Sequence, residues 1–215
     1  MTFFSQIGSY KHMERLYIGT DFELRSRTYY QKLGDSLAKA FSSPIDERGR
    51  LESLRQLTLS GVHVNKSLHQ GISKVVPFSQ LTHLTLWASP YTLEFVFALV
   101  HGLGDHKLRL KHLGLDMYDS DVTDGVETLL KSCTELRSLC LEWAHRDAWS
   151  PEFLVRSLQD IGQQLVLLSL HQISLDHPDV HNGDYDGDGD HDSDRVGVLG
   201  PKCLDEICLA CPNLK

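Results

Sequence analysis

A six-residue hydrophobic pattern recurs along the chain, with leucines at its first, fourth and sixth positions. Residues 136–141 show it in full as Leu-Arg-Ser-Leu-Cys-Leu. The copies are Met13/Leu16/Ile18, Leu54/Leu57/Leu59, Leu81/Leu84/Leu86, Leu110/Leu113/Leu115, Leu136/Leu139/Leu141 and Leu165/Leu168/Leu170. From Leu54 onward, successive copies start 27, 29, 26 and 29 residues apart. This regular period indicates a repeat protein in which each unit stacks on the next.

Each copy of the pattern predicts a short β-strand. Alternate residues of a strand point to opposite faces, so the second and third leucines face a core and the residues between them face outward. Apolar residues at helical spacing predict helices over 67–76, 92–103, 124–131 and 151–161. Strands that run in one direction and alternate with helices predict an α/β fold, with a parallel sheet on one face and helices on the other.

We interpret residues 1–215 as a single repeat array with four segments. The irregular first repeat is 13–50, the regular repeats are 51–175, an Asp-rich insertion is 176–200, and a further repeat starts at 201–215. In the first segment, apolar residues from Tyr30 to Phe41 predict a helix that ends before Pro44, because proline disfavours helical geometry in the residue preceding it.

The last segment is interpreted by comparison with an earlier repeat. A shift of 78 residues places Val126, Leu129, Leu130, Cys133 and Leu136 on Leu204, Ile207, Cys208, Cys211 and Leu214. The segment 205–215 is therefore expected to hold a helix and the opening of a strand. Because a solenoid needs a polar unit to cover its last apolar face, we expect the chain to be a fragment of a longer array.

The acidic residues are concentrated in one place. Of 29 Asp and Glu residues, eight lie between Asp176 and Asp194, so the remaining 21 acids balance the 21 Lys and Arg residues. The rest of the chain is neutral and has no basic stripe, so we expect no nucleic-acid partner. An apolar run of roughly 18 residues, which could span a bilayer, is also missing, so we expect no membrane association.

The five cysteines are an odd number, and the first residues lack the basic and apolar regions of a secretory signal. Both features predict reduced, buried cysteines and a cytoplasmic or nuclear location.

The repeat pattern resembles leucine-rich repeat proteins of the ribonuclease-inhibitor-like superfamily, whose period is roughly 20–29 residues. The resemblance implies a solenoid with a curved parallel sheet on the concave face and helices on the convex face. The cysteine-containing segments Leu-Lys-Ser-Cys-Thr-Glu-Leu-Arg-Ser-Leu-Cys-Leu at 130–141 and Leu-Ala-Cys-Pro-Asn-Leu-Lys at 209–215 are similar to repeats of F-box/LRR proteins. In that class the array holds a substrate, and an F-box joins it to the Skp-cullin ubiquitin ligase machinery. No F-box-like segment precedes Met13, so this partner is expected only if an F-box lies outside the chain.

The outward positions of neighbouring strands should form three rows. The first row is Arg15, Gln56, His83, His112, Ser138 and Leu167; the second is Tyr17, Thr58, Thr85, Gly114, Cys140 and Ser169; the third is Gly19, Ser60, Trp87, Asp116, Glu142 and His171. Aromatic residues anchor many protein interfaces. We therefore predict a partner-binding patch on the concave face, made of exposed Trp87, acidic Asp116 and Glu142, and the histidines His83, His112 and His171.

Three groups of residues have the chemistry of metal ligands, although we predict no metal and no cofactor. His83 and His112 fall in the same row, but His112 and His171 lie two strands apart and in different rows, so a single ion would be hard to reach. Cys203, Cys208 and Cys211 lack a fourth ligand at suitable spacing and are interpreted as core residues. The Asp-rich tract offers Asp184, Asp186, Asp188, Asp190 and Asp192 at the alternating spacing of a calcium-binding loop. Its last position is Arg195 instead of the required Glu, so an acidic spacer is the favoured interpretation.

The sequence contains no Gly-x-Ser-x-Gly elbow and no phosphate-binding Gly-x-x-x-x-Gly-Lys loop, so we expect no enzymatic activity. The expected function is a protein-interaction scaffold, such as the substrate-recognition part of an F-box-type adaptor. One alternative is a regulator of a small GTPase, because GTPase-activating proteins of the Ran system also combine leucine-rich repeats with an acidic stretch. A second alternative is calcium-dependent binding through the Asp-rich insertion.

Overall fold

The computed structural model describes residues 12–19, 27–42, 50–87, 89, 92–103, 107–117, 123–144, 151–173 and 201–215. Strands and helices alternate through this part of the chain. They are β1 Arg15–Gly19, α1 Arg27–Ser42, β2 Gln56–Ser60, α2 Lys66–Ile72, β3 His83–Trp87, α3 Thr92–Leu103, β4 His112–Met117, α4 Thr123–Ser132, β5 Ser138–Ala144, α5 Pro151–Ile161, β6 Leu167–Ile173 and α6 Pro201–Ala210. Single turns of 3-10 helix, Phe78–Gln80 and Gly162–Gln164, precede β3 and β6.

The six strands form one sheet in the order β1-β2-β3-β4-β5-β6, and every neighbouring pair is parallel. The register keeps the hydrophobic pattern aligned from strand to strand. For example, Leu84 pairs with Leu57 on one side and with Leu113 on the other. The predicted α/β fold with a parallel sheet is confirmed.

The core lies on one side of the sheet, between the strands and the helices. The inward-facing leucines of β2 to β5 are 0–1% exposed, as Leu57, Leu86 and Leu139 illustrate. Helix residues such as Phe95 and Leu158 are also fully buried and belong to the same hydrophobic cluster. Consecutive helices contact one another from α1 to α6. The helices therefore form a second layer that covers the leucine side of the sheet.

Local sequence explains where the second helix begins and ends. The Asn65 side chain caps α2 by accepting a hydrogen bond from the backbone N of Leu68 at 2.9 Å. The helix ends at Ile72, earlier than the predicted residue 76, and Pro77 disfavours helical geometry at Val76 itself. Val75 and Val76 are nevertheless buried, in the turn that follows the helix.

The final segment differs in part from the sequence-based alignment. Helix α6 begins at Pro201, and Ile207 and Cys211 are buried at 4% and 2% exposure, as the comparison with the earlier repeat predicts. Leu204, by contrast, is 47% exposed, and Cys208 is also exposed. The prediction that Cys208 is a core residue is wrong, because the buried positions of α6 are Cys203 and Ile207, and Leu204 and Cys208 lie on a different side of the helix.

No helix in the described ranges is long and apolar enough to cross a membrane.

Candidate binding face

The face of the sheet opposite the buried leucines carries the three predicted rows, and we call it the open face. The strand register aligns the whole first row from Arg15 to Leu167 and the whole second row from Tyr17 to Ser169. In the third row, Ser60 pairs with Trp87, and Glu142 pairs with its neighbours on both sides. Most side chains in these rows are partly exposed, whereas the leucines between them on β2 to β5 are buried.

Two histidines lie side by side at the centre of the first row. The rings of His83 and His112 are 5.7 Å apart between centroids and are tilted by 32°. The Nδ1 atom of His112 lies 2.9 Å from the Ser138 hydroxyl, and the Nδ1 atom of His83 lies 2.9 Å from the Thr82 hydroxyl. The four side chains therefore form a polar line across three strands.

The protonation of this pair is disfavoured. Burial lowers the pKa of His83, and the charges of Arg15 and Lys111 lower it further. Burial also lowers the pKa of His112, and the neighbouring His83 adds to that shift. Both imidazoles are consequently neutral at pH 7 and can donate and accept hydrogen bonds without carrying charge.

Large side chains at both ends of the sheet are the most exposed part of the open face. Tyr17 on β1 is 67% exposed and Leu167 on β6 is 52% exposed. Neither was included in the predicted patch, although both occupy outward positions in the sequence pattern. The signal that located Trp87, a large side chain at an outward position of the repeat pattern, also marks these two residues.

Trp87 and His171 reach solvent to different extents. Trp87 is half-buried at the end of β3, so the prediction that it is exposed holds only in part. His171 is exposed, and its Nε2 atom lies 2.7 Å from the Ser169 hydroxyl two residues earlier on the same strand.

The two acidic residues of the predicted patch are not exposed. Asp116 is 1% exposed and Glu142 is 9% exposed, although both stand in the outward row. Both carboxylates occupy the predicted outward row but are buried in it, so they form a partly dehydrated end of the open face.

The acidic end also affects a thiol in the middle row. Burial raises the pKa of the Cys140 thiol, and the Glu142 carboxylate raises it further, whereas a hydrogen bond with Ser169 acts in the opposite direction. Cys140 is therefore protonated at neutral pH and lacks the thiolate character of a catalytic nucleophile.

The described residues contain no group of three or more His, Cys, Asp or Glu side chains that could hold a metal ion. His83 and His112 are neighbours, but His171 lies two strands beyond His112. In α6 and the residues after it, Cys203 and Cys211 are buried while Cys208 is exposed. The aspartates proposed for calcium, from Asp184 to Asp192, lie outside the described residues.

A cavity in the helix layer was not anticipated from the sequence. It has a volume of about 350 Å³ and is bordered by α2, α3 and the turn at Phe78, with His69 and Leu99 in its wall. The His69 ring stacks on Phe78, with centroids 5.5 Å apart, and meets Phe95 edge-on at 5.3 Å. Burial lowers the pKa of His69 to about 4, so the imidazole is neutral in the folded protein.

The chain was also compared with models of protein families, with curated proteins and with solved structures. None of the three comparisons found a match. The geometry and chemistry of the open face are therefore the basis on which a function is assigned.

Proposed function

We propose that the chain is a leucine-rich repeat solenoid whose open face binds a protein partner. The observation that carries the proposal is the alignment of outward side chains across all six strands, between leucines that are buried. The leucines repeat while the residues between them change from strand to strand. A repeating scaffold with a variable, partly exposed face is typical of repeat proteins that recognise other proteins.

The chemistry of the face favours protein recognition. Tyr17, half-buried Trp87 and exposed Leu167 supply apolar contact area, and the paired histidines supply neutral hydrogen-bonding groups between them. Interfaces of proteins are enriched in aromatic residues and combine an apolar centre with polar groups around it. The face therefore has both components that an interface requires.

A catalytic role is less well supported by the same residues. Ser138 lies within hydrogen-bond distance of His112, as a nucleophile and its base would. Activation of the serine also requires a group that orients the imidazole and raises its basicity. The neighbour of His112 is instead another imidazole, and burial lowers the pKa of His112, so the histidine is a weak base.

Within this proposal, the biological role is that of a substrate-recognition module of an F-box-type adaptor. The support is the likeness of residues 130–141 and 209–215 to the cysteine-containing repeats of that class. The role predicts that a bound partner becomes ubiquitylated when the chain is fused to an F-box and supplied with Skp-cullin ligase components. A partner that binds but is not modified in this assay would contradict the adaptor role.

The binding proposal is tested by affinity capture with variants of the open face. We expect Tyr17→Ala and Trp87→Ala each to lower the affinity for a specific partner by about tenfold. Aromatic anchors that become buried account for much of the affinity of an interface. The matched control is Gln159→Ala, an exposed position on the opposite layer in α5. The affinity is then measured on the purified partner by surface plasmon resonance.

The decisive comparison is between the two sets of variants. If every partner that the wild-type chain captures is retained equally by Tyr17→Ala and Trp87→Ala, the open face is not the binding surface. A partner lost with Gln159→Ala and kept with the other two would place binding on the helix layer instead.

A further inference from the structure

The chain has a formal net charge of −8, yet one edge of its sheet is cationic. We call this the basic edge, and it lies at the amino ends of the strands. Its members are Arg15, Arg55, Arg109, Lys111 and Arg137. The acidic residues Asp116 and Glu142 lie towards the carboxyl ends of β4 and β5, so the two ends of these strands carry opposite charges.

Backbone hydrogen bonds place the central members of the basic edge in line. The N atom of Thr82 donates to the carbonyl oxygen of Arg55 at 2.8 Å, and the N atom of Lys111 donates to that of Thr82 at 2.7 Å. The N atom of Arg137 in turn donates to the carbonyl oxygen of Lys111 at 2.9 Å. Thr82 stands between Arg55 and Lys111 in this ladder, whereas Lys111 and Arg137 precede neighbouring strands, which are about 4.8 Å apart.

Some of these cations are already used within the protein. The Arg55 guanidinium donates to the carbonyl oxygens of Glu52 and Leu54 and to the side chain of Gln80. Arg109 forms an ion pair with Glu135, with 2.8 Å between Nε and Oε1. These interactions hold two guanidinium groups in place on the flanks of the edge.

Of the three remaining members, Arg15 lies apart on β1, whereas Lys111 and Arg137 precede the neighbouring strands β4 and β5. Both are exposed, and their side chains form no hydrogen bond within the described part of the chain. The nearby carboxylate is Glu135, whose pKa is lowered first by the hydrogen bond from Arg109 and further by the charges of Lys111 and Arg137. Because Glu135 is engaged by Arg109, it only partly offsets the positive potential of the other two.

Other charged groups on this edge reduce the potential without removing it. Glu14 lies beside Arg55, since the N atom of Arg55 donates to its carbonyl oxygen, and Glu52 is three residues before Arg55. Both acids are therefore near the Arg55 end. Around Lys111 and Arg137 the adjacent open-face residues are His112 and Ser138, which are neutral or hydrogen-bonding groups.

We propose that the basic edge, centred on Lys111 and Arg137, binds an acidic segment of the protein partner. The proposal rests on the proposed function and adds the chemistry and the position of the contact. The partner's carboxylates lie along the amino ends of β3 to β5, while its apolar residues cover the open face next to them. A short run of exposed cations suits a peptide, whereas a nucleic-acid footprint requires a longer basic surface.

A fluorescein-labelled peptide of ten glutamates is the probe for this contact, and fluorescence anisotropy is the readout. We expect the double variant Lys111→Ala/Arg137→Ala to bind the peptide about tenfold more weakly than the wild type. The control Lys74→Ala/Lys202→Ala removes the same charge from exposed positions elsewhere and should change the affinity by less than about twofold. Added salt should weaken wild-type binding, because exposed charges are screened.

An equal loss of peptide affinity in both double variants would show that binding responds to net charge alone and would overturn the proposal. So would an unchanged affinity of the Lys111/Arg137 variant, or stronger competition by a ten-thymidine oligonucleotide than by unlabelled deca-glutamate. Failure of the proposed function is distinguishable from these results. A captured partner that is lost with Trp87→Ala but kept with Lys111→Ala/Arg137→Ala would leave the open face as the interface and exclude the basic edge.

Discussion

The residue with the most unusual environment is His69, on the helix layer. It is 7% exposed, lies between two phenylalanine rings and borders an open cavity. A charged imidazole would lose its hydration in this position, so the neutral form is strongly favoured and the pKa falls to about 4. The stability of the folded chain is therefore linked to the protonation of this group.

The sign of that linkage follows from the two pKa values. The unfolded chain takes up a proton near pH 6.5, whereas folded His69 does so near pH 4, so stability decreases as pH falls through this window. We expect the free energy of unfolding to lose about 2 kcal/mol from His69 between pH 7 and pH 4.5. The measurement is urea denaturation at both values for the wild type and His69→Gln.

His101→Gln, at an exposed position of α3, is the matched control and should keep the wild-type pH dependence. Other titrating groups contribute equally to the wild type and both variants, so the comparison isolates His69. A His69→Gln variant that loses as much stability on acidification as the wild type would contradict the linkage.

At the scale of the elements, the strands are stabilised from one side only. Their inward leucines pack against the helices, and their outward residues remain partly accessible. Leu139 on β5 is fully buried, while Leu167 on the adjacent β6 points to the open face and is 52% exposed. The same residue type therefore contributes differently to stability on the two faces.

Truncating each of these leucines measures the difference. We expect Leu139→Ala to cost about 2–5 kcal/mol, as buried leucine truncations do, and Leu113→Ala to behave similarly. Leu167→Ala should cost less than about 1 kcal/mol, because much of its side chain is already in water. Chemical denaturation followed by circular dichroism gives all three values, and equal losses would refute the assignment of the two faces.

On the scale of the whole molecule, most contacts between elements join strands or helices that are consecutive along the chain. Throughout the described ranges, each strand contacts mainly the strands next to it and each helix the helices next to it. The end of α6 lies so close to the 3-10 turn after α5 that a Cβ atom at Gly162 would collide with the backbone oxygen of Ala210. Stability should accordingly be transmitted from neighbour to neighbour and not through a central core.

This arrangement predicts local responses to mutation. Leu57→Ala on β2 should accelerate amide hydrogen exchange in β1 to β3 more than in β5 and β6, and Leu139→Ala should produce the reverse pattern. Hydrogen–deuterium exchange with mass spectrometry resolves the two ends of the sheet. Uniform acceleration in both variants would indicate a single cooperative unit and would contradict the prediction.

The sequence by itself determined the strands, their parallel order and the buried leucines of β2 to β5. These features follow from local rules, because alternation within a strand assigns each residue to a face and equal spacing aligns one copy with the next. The helix over 92–103 was predicted at its observed bounds for the same reason, since its apolar spacing is unambiguous.

Only the tertiary structure decided how accessible and how charged the outward residues are. Asp116 and Glu142 are buried although they occupy outward positions, and burial beside Phe78 and Phe95 lowers the pKa of His69. The basic edge also arises only when Arg55, Lys111 and Arg137, far apart in the chain, are brought together by the strand ladder. Burial and electrostatic potential depend on every neighbour in space, whereas a repeat pattern reports only the spacing along one chain.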